Sequence, residues 1–143
     1  MDVAIRKALQ LYSIRDTLSD SLESTLYKLA IAGFQEAECF DLILLSQIKP
    51  LLDDFHIDVN SAFLFWPHVT KNYALAGAID YPYMPDKWGV EYEVERAHSL
   101  GLDTLVMGYM FPEERQTLNQ FKRNINLNQQ AAKQSNQADN TPA

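Results

Sequence analysis

The sequence predicts an α/β fold in which four parallel strands alternate with helices. Four short segments, near residues 8–14, 35–40, 57–64 and 103–109, have the apolar patterns of strands, and an amphipathic or loop-and-helix segment follows each one. A helix that carries the chain back between two strands makes those strands parallel. The alternation therefore indicates one parallel sheet with crossover helices.

The first βα unit is predicted from alternation in residues 9–14 and from leucines at helical spacing in residues 18–29. Asp20 stands three residues before Glu23, a spacing that is typical of a capping box at the start of a helix. This unit should end near Gly33, because glycine is common just past a helix end.

The second helix is predicted from an apolar stripe with Pro50 in the first turn, where a missing N–H costs least. The stripe consists of Ile48, Leu51, Leu52 and Phe55. Residues 65–89 are predicted to be a long loop with a short helix near 73–78. Loops of this length inside a compact domain are often functional.

The remaining elements are a helix at residues 90–100, the fourth strand, and a fourth helix that begins at Pro112. Its predicted buried stripe is Leu118, Phe121 and Ile125. Residues 1–133 are expected to form one partial domain, and residues 134–143, which lack an apolar stripe, a disordered tail. An eight-stranded βα barrel needs about 250 residues. The predicted fold is therefore a (βα)4 half of such a barrel that stops before a fifth strand.

Composition excludes several functional classes. The net charge is −7 and the sequence pI is about 4.8, which argues against nucleic acid as a ligand because phosphates attract basic surfaces. Cys39 is the sole cysteine, so it makes no internal disulfide, and no Cys/His spacing indicates zinc. No signal peptide and no membrane-spanning run is recognisable. These observations predict a cytoplasmic protein without a membrane or nucleic-acid partner.

Candidate binding residues lie where the predicted strands end, because barrel active sites form at that edge of the sheet. Tyr12, Glu38, Phe63 and Tyr109 occupy such positions. Tyr12 is the strongest candidate for lining a sugar site, although it could equally be a core tyrosine. Glu38 could accept a hydrogen bond from a sugar hydroxyl, but an ion pair with Arg15 is slightly favoured.

Trp66 and His68 follow the third strand, within the long loop. Aromatic side chains in such a loop can wall a sugar pocket, or they can pin the loop onto the barrel, and the sequence favours neither interpretation. His56 and His98 come late in helices and are expected to be surface or capping residues. Cys39 is expected to be a small buried apolar side chain. No Ser/His/Asp nucleophile set, P-loop or GxGxxG motif is present.

Several segments, in the right order, resemble the xylose isomerase-like TIM barrels known as sugar phosphate isomerases/epimerases. The opening strand, residues 9–16, reads Leu-Gln-Leu-Tyr-Ser-Ile-Arg-Asp and is the most specific match. Weaker matches follow at residues 25–30, 33–38, 51–57, 60–62, 97–101 and 111–115, so that the resemblance spans about residues 5–133. Family members often carry a histidine in the third strand where this chain has Phe63.

The resemblance implies an enzyme that moves a proton next to the carbonyl of a small sugar or polyol. A divalent metal (Mn²⁺, Mg²⁺, Zn²⁺ or Co²⁺) would assist, held by Glu, Asp, His and Glu from later strands. None of these ligands maps onto this chain, and no catalytic residue or metal ligand is assigned in it. The isolated chain is therefore expected to be a truncated and inactive member of the family.

Two other interpretations remain open. The chain could be a half-barrel subunit that is completed by a homodimer or by a partner chain, because an isolated half leaves two open edges and an uncovered face. Residues such as Leu9 or Leu11, Ala62 and Val106 would then line an apolar interior that drives self-association. A DNA-repair endonuclease of the same superfamily is weaker, since the chain is acidic.

Overall fold

A computed structural model of the protein describes residues 5–85, 89–120, 122, 123 and 126. The strands are β1 (Lys7–Gln10), β2 (Phe34–Cys39), β3 (Asp58–Phe63) and β4 (Thr104–Val106). The helices are α1 (Arg15–Asp20), α2 (Leu22–Ile31), α3 (Leu42–Asp54), α4 (Pro67–Thr70), α5 (Tyr73–Ala78) and α6 (Val90–Ser99). Single 3₁₀ turns occupy Leu11–Ile14 and Pro112–Glu114.

The four strands form one parallel sheet in the order β1-β2-β3-β4. The predicted α/β class and the parallel pairing are confirmed. Each neighbour in the sheet is also the next strand in the sequence, because each crossover carries helical residues that pack back on the strands. This topology places the carboxyl ends of all four strands at the same edge of the sheet.

Two strands end earlier than predicted. The first was expected to reach residue 14, but the chain turns at Leu11–Ile14 into a 3₁₀ turn that leads into α1. Leu11 is fully buried in the core. The alternation of apolar and polar residues in 9–14 therefore comes partly from a turn that buries Leu11, and not from a longer strand. Strand β4 ends at Val106 instead of residue 109, and residues 107–109 continue without regular structure.

The helix starts also differ from the predictions. The first predicted helix is divided into α1 and α2 at Ser21, whose extended backbone (φ −157°) begins α2 without a side-chain cap, so the Asp20–Glu23 capping box is wrong. Helix α3 begins at Leu42 because the Asp41 carboxylate accepts hydrogen bonds from two backbone N–H groups of the first turn. Pro50 therefore lies inside α3 and not in its first turn.

The core lies between the helices and one face of the sheet. Alternate strand residues such as Ala37, Cys39 and Val59 point to this side. They pack against fully or almost fully buried helix residues, which include Leu26, Leu45, Ile48 and Leu52. The predicted short helix near residues 73–78 is confirmed as α5, and α4 precedes it within the long loop.

On the opposite face of the sheet, charged and polar side chains cover the part formed by β1, β2 and β3, where an apolar interior was expected. Leu11 and Ala62 are fully buried on the helix side. On the other face, the Arg6 guanidinium lies 2.7 Å from the carboxylates of both Glu36 and Asp58. Charged side chains that pair in water need no apolar partner surface to cover them.

The end of the described chain departs from the predicted fourth helix. Pro112 opens a 3₁₀ turn, and the helical residues that follow are 118–120, 122, 123 and 126. Leu118, expected to be buried, is 65% exposed. Phe121, Ile125 and the predicted tail at residues 134–143 lie outside the described residues. Within the described part of the chain, no helix combines the length and apolarity needed to cross a membrane.

Candidate functional site

The carboxyl edge of the sheet brings together several of the residues predicted for a binding site. In parallel α/β folds ligands bind at this edge, because the loops that follow the strands converge there. Tyr12 follows β1, Glu38 lies near the end of β2, and Tyr109 follows β4. Trp66 and His68 belong to the segment between β3 and α6.

Tyr12 lies in the 3₁₀ turn after β1, and about half of its surface is exposed. Its ring meets the Phe40 ring edge-on, with centroids 5.3 Å apart. The Arg15 guanidinium lies 4.3 Å from the Tyr12 ring centroid and donates a hydrogen bond of 3.1 Å to the Tyr12 carbonyl. This cation–π contact helps to orient the half-exposed ring.

Glu38 is held by Ser61 and not by Arg15, so the favoured Arg15–Glu38 ion pair is wrong. The Ser61 hydroxyl donates a hydrogen bond of 2.8 Å to the Glu38 carboxylate. Both residues line a shallow groove of about 310 Å³ on the polar face of the sheet. The groove is bounded by β1, β2 and β3 and is lined by Ala8, Leu9, Gln10, Glu36, Ala37, Glu38, Asn60 and Ser61.

An irregularity in the pairing of β2 with β3 creates the Glu38–Ser61 contact. Ala37 pairs with Val59, but the next residue, Glu38, pairs with Ser61. Asn60 is therefore an extra residue in β3, as in a bulge. With unbroken pairing Glu38 would lie opposite Asn60, so the extra residue brings the Ser61 hydroxyl to the carboxylate. Sequence alternation alone does not reveal such a shift.

Residues 64–85, called the strap below, cross the carboxyl edge between β3 and α6 and contain α4 and α5. Trp66 lies in the strap with its ring centroid 5.4 Å from those of Phe65 and Tyr81 and 5.5 Å from that of Phe111. These contacts place Trp66 in a layer of aromatic rings. The ring therefore packs the strap against Phe111, in the chain that follows β4.

The aromatic layer runs without interruption from the end of β1 to the chain after β4. Successive ring centroids lie between 4.9 and 6.1 Å apart. In spatial order the rings are Tyr12, Phe40, Tyr83, Tyr81, Trp66, Phe111 and Tyr109. Tyr12 and Tyr109, the predicted residues at the two ends of this aromatic row, are both about half exposed. The sequence predicted Tyr12, Trp66 and Tyr109 separately and missed the rings that connect them.

His68 lies on α4 with none of its surface exposed. Its ring centroid is 5.1 Å from that of Phe65, and its Nδ1 lies 3.7 Å from a carboxylate oxygen of Glu93. Burial is the main cause that lowers the pKa of His68 to about 4. The imidazole is therefore neutral at pH 7, and the contact with Glu93 is not an ion pair there. His68 therefore packs within the strap, against Phe65 and Glu93.

Glu93 is a residue that sequence reasoning missed. It lies on α6, is only 3% exposed, and accepts a hydrogen bond of 3.4 Å from the Phe65 backbone N–H. Burial raises the pKa of its carboxyl to about 7. A usable signal was present, since Glu93 falls in the helical stripe that contains Val90 and Ala97. An acid within an apolar stripe indicates a buried polar contact.

Asp41 is the second residue that was missed. It is 3% exposed, and its Oδ1 accepts hydrogen bonds of 2.7 and 3.0 Å from Ile43 N–H and Leu44 N–H. The Tyr81 hydroxyl donates a hydrogen bond of 2.7 Å to the other carboxylate oxygen. Burial raises the pKa of Asp41. An aspartate directly before the apolar run 42–45 is a typical helix cap, and that pattern could have identified it.

Cys39 matches its prediction as a small buried side chain. Its Sγ donates a hydrogen bond of 3.2 Å to the Asp41 carbonyl, and burial raises the pKa of the thiol to about 12. The thiol therefore stays protonated at neutral pH and is a poor nucleophile or metal ligand.

The described residues do not bring together the ligands that a catalytic metal ion needs. In that part of the chain, no three or more His, Cys, Asp or Glu side chains converge in a way that could hold a metal ion. A catalytic divalent metal needs several converging ligands. The metal implied by the family resemblance would therefore need ligands other than the groups described at this edge.

Comparison with known proteins gives no match: no family model, no curated protein and no solved structure is significantly similar to the chain. The resemblance to sugar phosphate isomerases/epimerases rests on the sequence segments alone. What the geometry adds is a parallel sheet whose carboxyl edge carries an aromatic row beside a carboxylate–hydroxyl pair.

Proposed function

We propose that this chain is part of a xylose isomerase-like barrel and binds a small sugar or polyol at the carboxyl edge of its sheet. One observation carries the proposal. The half-exposed Tyr12 ring lies at the end of β1, and the neighbouring groove contains the Glu38–Ser61 pair. An aromatic face beside polar acceptors is the combination that suits a polyhydroxy ligand.

The residues have separate roles in this proposal. Apolar C–H groups of a sugar ring pack against the Tyr12 ring, which Arg15 holds in place. The Glu38 carboxylate accepts hydrogen bonds from ligand hydroxyls, and its existing bond from Ser61 keeps it oriented. Gln10, which also lines the groove, offers both a donor and an acceptor. Precise polar groups within an apolar surround are typical of small-molecule sites.

The reaction class proposed for the complete protein is isomerisation or epimerisation of a sugar or sugar phosphate. When bound, a divalent metal supplies Lewis-acid polarisation of the substrate carbonyl. The residues described here contribute binding and orientation only. Isomerase activity would thus need further groups, from other residues or another chain.

Ligand binding can be tested by NMR titration of the full chain with a panel of pentoses, hexoses, polyols and their phosphates. We expect weak, saturable shifts confined to the backbone amides of Gln10, Tyr12, Glu38 and Ser61. Tyr12→Ala should weaken binding of the best ligand at least about fivefold, since it removes the aromatic face, a contact worth about 1 kcal/mol or more.

The matched control is Tyr27→Ala. Tyr27 is as exposed as Tyr12 but lies on α2, where its ring packs near Phe55. This variant should leave ligand affinity unchanged. Shifts spread over the whole surface, or equal losses from both tyrosine variants, would contradict a site at the strand edge.

A half-barrel subunit is the second candidate, and the free sheet edges favour it. Among the described residues, β1 pairs only with β2, and β4 pairs only with β3. Unpaired edge strands offer backbone donors and acceptors to another chain. A second copy related by a twofold axis along the strands would pair β4 of one copy with β1 of the other. Because the open face is polar, edge pairing would be the main contact.

The subunit hypothesis predicts the mass of the chain in solution. Light scattering during gel filtration should show a mass that rises with concentration from 16.3 kDa towards twice that value. A mass that stays at the monomer value over the whole accessible concentration range would exclude homodimerisation. The polar face makes high salt an informative second condition, since salt weakens contacts between exposed charges.

A further inference from the structure

The strap is tied to the rest of the molecule by buried polar contacts at two places. At one, the Tyr81 hydroxyl donates to Asp41 at the start of α3. At the other, Glu93 on α6 accepts from the Phe65 N–H and lies against His68. Phe65, His68 and Tyr81 all belong to the strap, so separation of the strap from the sheet edge must break both sets of contacts.

We propose that His68 and Glu93 form a latch that is charge-free in mildly acidic solution: there both side chains are neutral when the strap is closed, and closing requires almost no net uptake or release of protons. The latch goes beyond the proposed ligand site, because it concerns how the cover over that edge stays closed. It would hold the strap with nearly constant strength over the range in which histidines and buried acids change charge.

The geometry supports a neutral pair. His68 is 0% exposed and Glu93 is 3% exposed, and their closest charged-group atoms are 3.7 Å apart. One member lies on α4 within the strap and the other on α6 outside it. Burying two charges at this site would cost more free energy than burying the same two groups in their neutral forms.

Other ionisable groups face the pair from each neighbouring element. Asp41 and Arg96 act on Glu93, and Tyr81 also senses its charge. Lys71, Glu91 and Arg96 act on His68, and the ring of Tyr73 on α5 lies 6.2 Å from the His68 ring, centroid to centroid. These groups are common to all variants proposed below. A comparison of each variant with the unmodified chain therefore isolates the contribution of the pair.

Each member of the pair alone would make closing depend on pH, with opposite signs. The pKa of His68 falls from 6.5 to about 4 on burial. The stability that His68 gives to the closed strap is therefore fully present above pH 6.5 and is lost as pH falls towards 4. The pKa of Glu93 rises from 4.5 to about 7 on burial. The stability that Glu93 gives to the closed strap is therefore fully present below pH 4.5 and is lost as pH rises towards 7.

The two dependences cancel over their shared window. Between about pH 4.5 and 6.5 an open strap would carry a charged histidine and a charged glutamate, while the closed strap carries neither charge. When the strap closes, His68 loses one proton and Glu93 gains one, so the number of bound protons stays the same. From these values, the opening constant of the unmodified strap changes only about two- to threefold between pH 5 and 8.

Single neutral substitutions should turn the latch into a pH switch. Using the same values, Glu93→Gln leaves only the histidine, and strap opening should fall about 30-fold from pH 5 to 8. His68→Gln leaves only the acid, and opening should rise about 70-fold over the same range. The opposite signs distinguish the proposal from a general loss of stability.

Hydrogen–deuterium exchange of the full chain at pH 5, 6, 7 and 8 measures strap opening, after correction for the intrinsic exchange rate at each pH. Peptides from residues 64–85 report the strap, and peptides from α3 report whether each variant is folded. A change larger than about tenfold in the unmodified chain, or two variants with the same sign of pH dependence, would overturn the latch.

A second measurement needs no variant and covers the case in which a substitution prevents folding. In an NMR titration of the unmodified chain, the His68 ring should remain neutral down to about pH 5. A His68 ring that becomes charged above about pH 6 would also overturn the latch. Neither measurement uses a ligand, so its result is independent of the proposed sugar site.

Discussion

Asp41→Ala should lower the free energy of unfolding by about 2–4 kcal/mol. The carboxylate caps α3 through two backbone N–H groups and accepts the Tyr81 hydroxyl, and it is 3% exposed. Alanine leaves two helix donors and one buried hydroxyl without their acceptor. The loss should appear as a lower urea midpoint in circular dichroism, with faster hydrogen exchange at both α3 and the strap.

Two further variants separate the parts of this effect. Tyr81→Phe keeps the helix cap and should cost about 1 kcal/mol, the usual contribution of one hydrogen bond. Asp41→Asn keeps an acceptor for the first turn of α3 and should cost less than the alanine variant, because asparagine is an equally good cap. Asp41→Ala with unchanged stability would show that α3 does not depend on this cap.

Gly108→Ala should destabilise the chain by about 3 kcal/mol, near the top of the usual range for overpacking. A Cβ at this position would lie 2.2 to 2.8 Å from three ring atoms of Phe63. These atoms include Cγ, at the base of the ring, so a small rotation of the side chain does not relieve the clash. The Phe63 ring and the chain after β4 would have to separate, and stability should fall in thermal or urea unfolding.

Gly77→Ala is the matched control, because nothing lies within 4 Å of a Cβ at Gly77 and the residue is inside α5. That variant should be neutral or stabilising by up to about 1 kcal/mol, the difference in helix propensity. Combining Gly108→Ala with Phe63→Ala should cost less than the sum of the two single changes. Strict additivity would mean that the ring and the glycine do not share one packing site.

The contact between Phe63 and Gly108 also shows what fills the end of β3. In the barrel family proposed above for this chain, a histidine often occupies this place in the third strand. Here an aromatic ring packs against the chain that follows β4, so this part of the edge is apolar. The proposed ligand would accordingly lie towards β1 and β2, where the groove and Tyr12 are found.

Local patterns were sufficient to predict the succession of strands and helices. A strand such as β3 falls in a short segment with apolar and aromatic residues, and α6 has a clear apolar stripe, so both are recognisable in isolation. Predictions failed where two patterns share the same spacing. Residues 11–14 alternate like a strand but form a turn, because burial of Leu11 satisfies either arrangement.

The candidate residues at strand ends were predictable from the topology, while their partners were not. Alternating strands and helices place Tyr12 and Glu38 at one edge of any parallel sheet. Whether Glu38 meets Ser61 or Arg15 depends on one extra residue in β3. A shift of one residue reverses the side on which a side chain lies, and the pattern of apolar residues does not reveal it.

The amino-acid sequence by itself determined the parallel α/β class, the order of the elements and the position of Tyr12 and Glu38 near strand ends. Each of these depends on neighbours within a few residues or on the chirality of crossovers. Only the tertiary structure decided the polar character of the open face and the pairing of His68 with Glu93. Those features join residues that are far apart in the chain, and burial, which sets their charge states, arises only when the helices pack.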